Sequence, residues 1–196
     1  MAQFDVVIAG GAMAGATLAL ALTRLSKGAL SIAVVEPYQV DHLSHPGFDS
    51  RSIALSYGTV QILDSLNLWQ SIEPVTTPIK HIHVSDKNHA GMTDIRSDNY
   101  SVDALGYVVE LADVGLIYQQ KLEADSNITL LCPDSVTGIE RHNQSVDIEL
   151  QSGKKLTSKL LVAADGAISA CCQQLQIQLE EHDFEQVAVI ANIIAE

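Results

Sequence analysis

The chain opens on an unbroken apolar run at 6–9, passes through Gly10-Gly11-Ala12-Met13-Ala14-Gly15, and continues in small and branched apolar residues to Leu22. A short apolar run closed by glycine predicts a buried strand, and the stretch after it a helix ending near 24–28. A second buried strand is predicted at 31–36, closed by Glu36. Residues 37–50 are polar, with Pro37, Pro46 and Gly47 as breakers, and lead into a helix at 57–66. Between 79 and 109 the pattern shortens to alternating runs at 81–84, 93–95 and 106–109, which predict antiparallel strands in a second layer. A helix at 111–122 and a strand at 128–131 restore the α/β pattern. Runs at 136–141, 146–150 and 154–156, separated by His142-Asn143 and Ser152-Gly153, predict a small antiparallel meander. A buried parallel strand at 159–164 then ends in Asp165-Gly166 before a helix, and the β-branched segment 184–195 predicts a last strand.

The first strand, turn and helix form the setting in which a glycine fingerprint binds a dinucleotide. Gly10 permits the tight turn and Gly15 lets the helix pack close to the sheet. The helix N-terminus offers unpaired N–H groups and a positive dipole end to a pyrophosphate. Ala12 stands where the second glycine of G-x-G-x-x-G is expected, so phosphate contact there should be weaker or slightly displaced. A glycine turn that serves packing alone is the plain alternative. Residues 6–23 also carry no charge, which approaches the length of a membrane span or signal peptide. Asp5, the three glycines and the lack of a preceding basic residue favour a soluble first βα unit.

Glu36 lies about 20 residues past the fingerprint, where a carboxylate accepts hydrogen bonds from ribose hydroxyls. It could instead be a solvated strand-end acid. In the first role it disfavours a 2′-phosphate, leaving FAD or NAD as the nucleotide. Arg51 suits a bidentate clamp on pyrophosphate or a flavin edge, with a surface ion pair as the alternative.

Composition narrows the partners. A net charge of −13 with only 11 Lys plus Arg argues against a nucleic-acid surface or a polybasic membrane patch. The 3 cysteines, Cys132, Cys171 and Cys172, lack C-x-x-C spacing, so neither a disulfide framework nor a zinc site is expected, and a reducing cytoplasm is the natural setting. His42, His45, His81, His83 and His89 find no acidic or cysteinyl companion at ligand spacing in the sequence, so no metal site is expected.

Three features in order resemble the group A FAD-dependent monooxygenases: the fingerprint with Glu36, the Arg51 segment before a helix, and Ala164-Asp165-Gly166-x-x-Ser169 after a meander. Further motifs narrow the resemblance to the 2-octaprenyl-6-methoxyphenol hydroxylases of ubiquinone biosynthesis. They are His45-Pro46-Gly47-Phe48-Asp49, Ile53-Ala54-Leu55, His83-Val84-Ser85-Asp86 with His89-Ala90-Gly91, Val108-Val109-Glu110-Leu111 and Leu161-Val162-Ala163-Ala164-Asp165-Gly166.

The resemblance implies an α/β, Rossmann-like FAD-binding fold with a parallel central sheet, an antiparallel β-meander and part of an antiparallel substrate-domain sheet. It divides the chain into an FAD-binding domain (1–78 and 107–180) and partial substrate-domain strands (79–106 and 181–196). It further implies hydroxylation of a polyprenylated phenol with NAD(P)H and O2, FAD carrying the chemistry. Gly10, Gly11, Ala12, Met13, Ala14, Gly15, Glu36, Arg51, Val136, Asp165 and Gly166 would hold the cofactor, Val136 through its backbone beside the adenine. Glu110 and Leu111 would begin a helix whose N-terminus faces the cofactor, with Asp113 where relatives often carry arginine. No catalytic acid or base is assigned. A second Gly-Asp motif and a C-terminal substrate region, both family features, lie outside these residues. The chain therefore reads as the N-terminal part of a longer hydroxylase, with an apolar strand edge open to self-association. It is expected to be cytoplasmic, meeting its lipid substrate peripherally at the inner membrane or in a biosynthetic complex. A non-catalytic FAD- or NAD-binding module, or another FAD-dependent oxidoreductase, remains the alternative.

Overall fold

The computed structural model describes residues 2–40, 47–178 and 180–189. Eleven strands and five α-helices follow in order: β1 (Ala2–Ala9), α1 (Met13–Leu25), β2 (Ile32–Val35), β3 (Ser52–Ser56), α2 (Tyr57–Ser65), α3 (Trp69–Ile72), β4 (Thr76–Ile79), β5 (His81–Ser85), β6 (Met92–Arg96), β7 (Gly106–Glu110), α4 (Leu111–Ala124), β8 (Ile128–Leu131), β9 (Val136–Arg141), β10 (Val146–Leu150), β11 (Lys155–Ala163) and α5 (Ala170–Gln174). Six strands form the main sheet in the order β8-β2-β1-β11-β10-β9. The first four are mutually parallel, and β11, β10 and β9 run antiparallel. This mixed α/β architecture matches the predicted parallel sheet with its meander.

β2 shows why the sheet forms. All four of its residues are buried, because both faces of the strand are covered. Ile32 and Val34 pack with Ile8 of β1 and Ala16, Ala19, Val114 and Tyr118 of α1 and α4. Ala33 and Val35 join Val7, Ile148, Leu150 and Leu156 in a second cluster. Each fully buried Val or Ile contributes about 1.5–3 kcal/mol over its exposed state, so these strands anchor the molecule. Gly115 lets Phe48 pack directly onto α4, since a Cβ there would stand 2.6 Å from the Phe48 ring.

Two predicted features change. The strands expected at 154–156 and 159–164 are one strand, β11, which pairs antiparallel with β10 and parallel with β1. Thr157 and Ser158 sit between them with no glycine or proline, and both residues are paired with β1 on one side and β10 on the other, so the strand runs on. The segment expected as a strand at 184–195 forms no ladder over 184–189, and 190–195 lies outside the described residues. Phe184, Val187 and Val189 are exposed, and no neighbouring strand among the described residues offers them a partner. As the strand–turn–helix reading predicts, the uncharged stretch 6–23 divides into half a strand and most of a 13-residue helix, and no helix among the described residues is long and apolar enough to cross a membrane.

β3, β7 and β4 form a separate antiparallel sheet, of which β4 had no clear alternating signal. Among the described residues, β5 and β6 pair only with each other.

Candidate functional site

The carboxyl ends of β1, β2 and β11 meet at one edge of the main sheet, where ligands of open α/β sheets bind. Backbone bonds lock them together there. Gly10 N–H donates to Val35 O at 2.8 Å, Ala164 N–H to Ala9 O at 2.7 Å, and Glu36 N–H to Leu131 O at 3.0 Å. The fingerprint, Glu36 and Asp165-Gly166, far apart in sequence, thus become neighbours.

Sterics explain the glycines. Gly10 has φ +100°, and a Cβ there would stand 2.2 Å from Ala164 O. A Cβ on Gly15 would stand 1.9 Å from Gly10 O, so the first turn of α1 lies directly against the turn that leads to it. Ala12, at the position where a glycine was expected, is the N-cap of α1 in extended backbone (φ −72°, ψ −168°) and meets no such obstacle to its methyl. Its side chain gives no cap, and the first helical bond runs from Ala16 N–H to Ala12 O at 2.9 Å. The N–H groups of Met13, Ala14 and Gly15 therefore have no partner among the described residues. Met13 is half-buried, Ala14 exposed and Gly15 buried, at the edge of the sheet where the strands end. An amide cradle backed by a helix dipole fits a pyrophosphate.

Glu36 is a buried carboxylate held in place. Gly11 N–H donates to its Oε2 at 2.6 Å and Tyr38 N–H to its Oε1 at 3.0 Å. A carboxylate offers about four acceptor positions, the chemistry that ribose hydroxyls require. The solvated strand-end acid is thereby excluded, because Glu36 is only 6% exposed. Beside it, burial and the negative charges of Glu36 and Glu123 push the Cys132 thiol up to about 11.

Val136 begins β9 and packs into the second cluster near Val35. Two residues earlier, Asp134 N–H donates to Glu36 O at 2.9 Å, so this segment passes alongside Glu36.

The side chains of Arg51 and Asp165 are both engaged within the chain, Arg51 in the surface ion pair that was its alternative reading. Arg51 Nε donates to both carboxylate oxygens of Asp49, at 2.8 and 2.7 Å, in an exposed pair that lowers the Asp49 pKa and raises that of Arg51. The backbone of this loop caps α4. Leu111 N–H donates to Arg51 O and Ala112 N–H to Asp49 O, each at 2.9 Å, which occupies two of the first-turn amides expected to face the cofactor. The Asp165 side chain turns toward α5, accepting from Ser169 Oγ at 2.6 Å and Cys171 N–H at 3.0 Å. Desolvation raises its pKa, but these hydrogen bonds outweigh it and the net shift is downward. Gly166, at φ +86° with open space around it, leaves its backbone accessible beside Gly10.

Some contributors carried little sequence signal. Tyr118 of α4 is fully buried, and its hydroxyl lies 2.9 Å from Thr17 Oγ1, which donates to Met13 O at 2.6 Å. Because the Thr17 proton is committed to Met13, the Tyr118 O–H is the donor to Thr17. Asp134, Ser152 and Tyr38 also brace Glu36 or its neighbours, and only turn-forming composition marks them in the sequence. His81 and His83 meet Asp94 on the β5–β6 hairpin rather than the crevice, at 2.8 and 3.0 Å. No cluster of three metal-ligating side chains occurs among the described residues. His42, His45 and Pro46 lie outside those residues.

Known proteins resemble this chain along nearly its whole length. It is 28% identical over 193 residues to the 3-demethoxyubiquinol 3-hydroxylase of Escherichia coli K12, covering 98% of this chain and 49% of that protein. It is 26% identical over 206 residues to human mitochondrial ubiquinone biosynthesis monooxygenase COQ6, covering 97% of this chain and 43% of that protein. The chain thus spans about half the length, or less, of these curated relatives. Among solved structures, the flavin-dependent monooxygenase PieE in complex with FAD and substrate superposes with a TM-score of 0.72 at 20% identity, over 91% of this chain and 33% of that one. The p-nitrophenol 4-monooxygenase PnpA of Pseudomonas putida DLL-E4 gives 0.72 at 20% identity, over 89% and 44%. These two likenesses show a shared fold. A family model described as FAD binding domain matches residues 3–196, and the chain belongs to that FAD-binding domain family.

Proposed function

We propose that this chain is the FAD-binding part of a monooxygenase that hydroxylates a polyprenylated phenol in ubiquinone biosynthesis, with NAD(P)H as reductant and O2 as oxygen source. The observation that carries the nucleotide reading is the cradle at the sheet edge, where unpartnered amides of Met13, Ala14 and Gly15 stand beside the buried carboxylate of Glu36. The names of the relatives support the ubiquinone-precursor substrate.

In this reading the α1 N-terminus binds the pyrophosphate and Glu36 accepts from the ribose. The Val136 backbone flanks the adenine and the Gly166 backbone lies along the dinucleotide. Arg51 reaches the cofactor by leaving Asp49, a low-cost exchange for an exposed pair. Asp165 acts by shaping the loop that carries Gly166. FAD, when bound, supplies the redox and oxygen-transfer chemistry; the chain binds and orients it. Residues 1–78 and 107–180 form the FAD-binding unit. Residues 79–106 and 181–196 belong to a substrate-facing sheet, a division supported by the self-paired hairpin and the exposed Phe184, Val187 and Val189. A polyprenyl substrate is met at a membrane surface or within a complex of biosynthetic proteins.

The test is a fluorescence titration of FAD against the 196-residue chain and its Gly15→Val and Glu36→Ala variants. Saturable binding that both variants lose supports the nucleotide site. Substrate class is then decided in a chain extended to the length of the relatives, by whether a prenylated phenol stimulates NADH or NADPH oxidation. Unstimulated oxidation would leave a nucleotide-binding module with a different substrate or none.

A further inference from the structure

We propose that Asp134 is a positioning residue for the adenosine end of the nucleotide site, an inference that rests on the FAD-binding reading above. Asp134 is 6% exposed, an unusual place for a carboxylate unless every acceptor is used. Here it is well supplied. Ser135 N–H and Ser152 N–H donate to Oδ1 at 3.0 and 3.1 Å, and the Ser152 hydroxyl donates to Oδ2 at 2.6 Å. Burial pushes the carboxyl up, yet bonds from Ser152 and Ser135 outweigh it and hold the group below its usual value.

The partners show what the carboxylate does. Ser152 sits in the β10–β11 turn, and Ser135 in the connection from β8 to β9. The Asp134 backbone N–H donates to Glu36 O at 2.9 Å, and Gln151 N–H donates to Ser135 O at 2.9 Å. One residue therefore ties the end of β2, the entry to β9 and the far turn of the meander into a single rigid corner. Glu36 faces the fingerprint through Gly11, and Val136 lies two residues beyond Asp134. Loosening the corner leaves the pyrophosphate cradle of α1 intact, because none of its amides touches the meander. What moves is the ribose carboxylate relative to the Val136 backbone, which sets adenosine affinity.

The geometry makes the substitutions informative. In Asp134→Asn the amide oxygen still accepts both backbone N–H groups, and the amide nitrogen donates to Ser152 Oγ. Asp134→Ala removes all three bonds, and Ser152→Ala only the hydroxyl bond. The experiment measures displacement of FAD from the 196-residue chain by ADP and by inorganic pyrophosphate, with circular-dichroism melting to establish that each variant is folded. Asp134→Ala should weaken ADP by ~10-fold or more and Ser152→Ala by ~3-fold, while pyrophosphate changes less than ~2-fold and Asp134→Asn binds both ligands like the parent. Should Asp134→Ala not fold, Ser152→Ala against Asp134→Asn decides the matter. Equal loss of ADP and pyrophosphate, or unchanged ADP affinity in the folded variants, overturns the inference. Failure of the parent chain to bind FAD or ADP at all defeats the nucleotide reading instead, and is read before any variant.

Discussion

The crevice edge of the main sheet and the β5–β6 hairpin are both built from short strands, yet they are held by different forces. At the crevice, Val7, Ile8 and all of β2 are buried, the strand ends are crosslinked by backbone bonds, and two glycines leave no room for a methyl group. In the hairpin every residue of β5 is exposed, and the side-chain tie across the strands is Asp94 bridging His81 and His83. An isolated two-stranded hairpin is marginal in water, so the second region depends on exposed polar bonds or on surfaces brought by other segments. Rigid, close-packed backbone suits a phosphate cradle that must be preformed. A loosely tethered hairpin suits a surface that completes itself against something else.

The sharpest way to break this contrast is Gly15→Ala. Its methyl meets the Gly10 carbonyl oxygen and cannot be absorbed by a side-chain shift, so FAD binding should vanish and unfolding free energy should fall by about 1–3 kcal/mol or more. FAD titration and urea unfolding report the two effects, and a stable, FAD-binding variant would remove the steric argument. Next in size is Glu36→Ala, which orphans the Gly11 and Tyr38 N–H groups and should cost about 1–3 kcal/mol along with most of the nucleotide affinity. Tyr118→Phe is milder. It deletes one buried bond to Thr17, about 1 kcal/mol, and should weaken FAD only a few-fold through Met13, as measured by the same two assays.

The smallest global effect should come from the hairpin. Asp94→Ala should abolish amide protection in β5 and β6 by hydrogen exchange while leaving FAD affinity unchanged. The pH dependence follows the same line. Hydrogen bonds from His83 and His81 lower the Asp94 pKa, so its contribution is present above the unfolded carboxylate value of about 3.9 and is lost as pH falls through the lower folded value. Hairpin protection should therefore persist from neutral pH down to the acid range and disappear there before protection in β1 and β2. Loss of both together would mean that the two regions unfold as one unit.

Local chemistry alone marked the parts where one residue dictates its own backbone. Gly10 and Gly15 at their turn, Ser152-Gly153 between β10 and β11, and the uninterrupted apolar run of β2 could be read directly, because sterics and burial act over a few positions. The adjacency of fingerprint, Glu36 and Asp165-Gly166 was legible only through their order in a recognisable motif series, and the parallel ladder is what makes them neighbours. Other decisions belonged wholly to the tertiary structure. Whether 154–156 and 159–164 are two strands or one depended on β10 and β1 offering partners on both sides of the same chain. Whether 184–189 is a strand depended on a neighbour that the described residues do not supply. Arg51 and Asp165 keep the residue types expected of cofactor contacts, but their side chains are claimed by Asp49 and by Ser169 and Cys171. Asp134, silent in the sequence, becomes a corner of the site because it is buried where three segments meet. A side chain's partners are set by what the fold brings within hydrogen-bond distance, and that distance is not written in any local pattern.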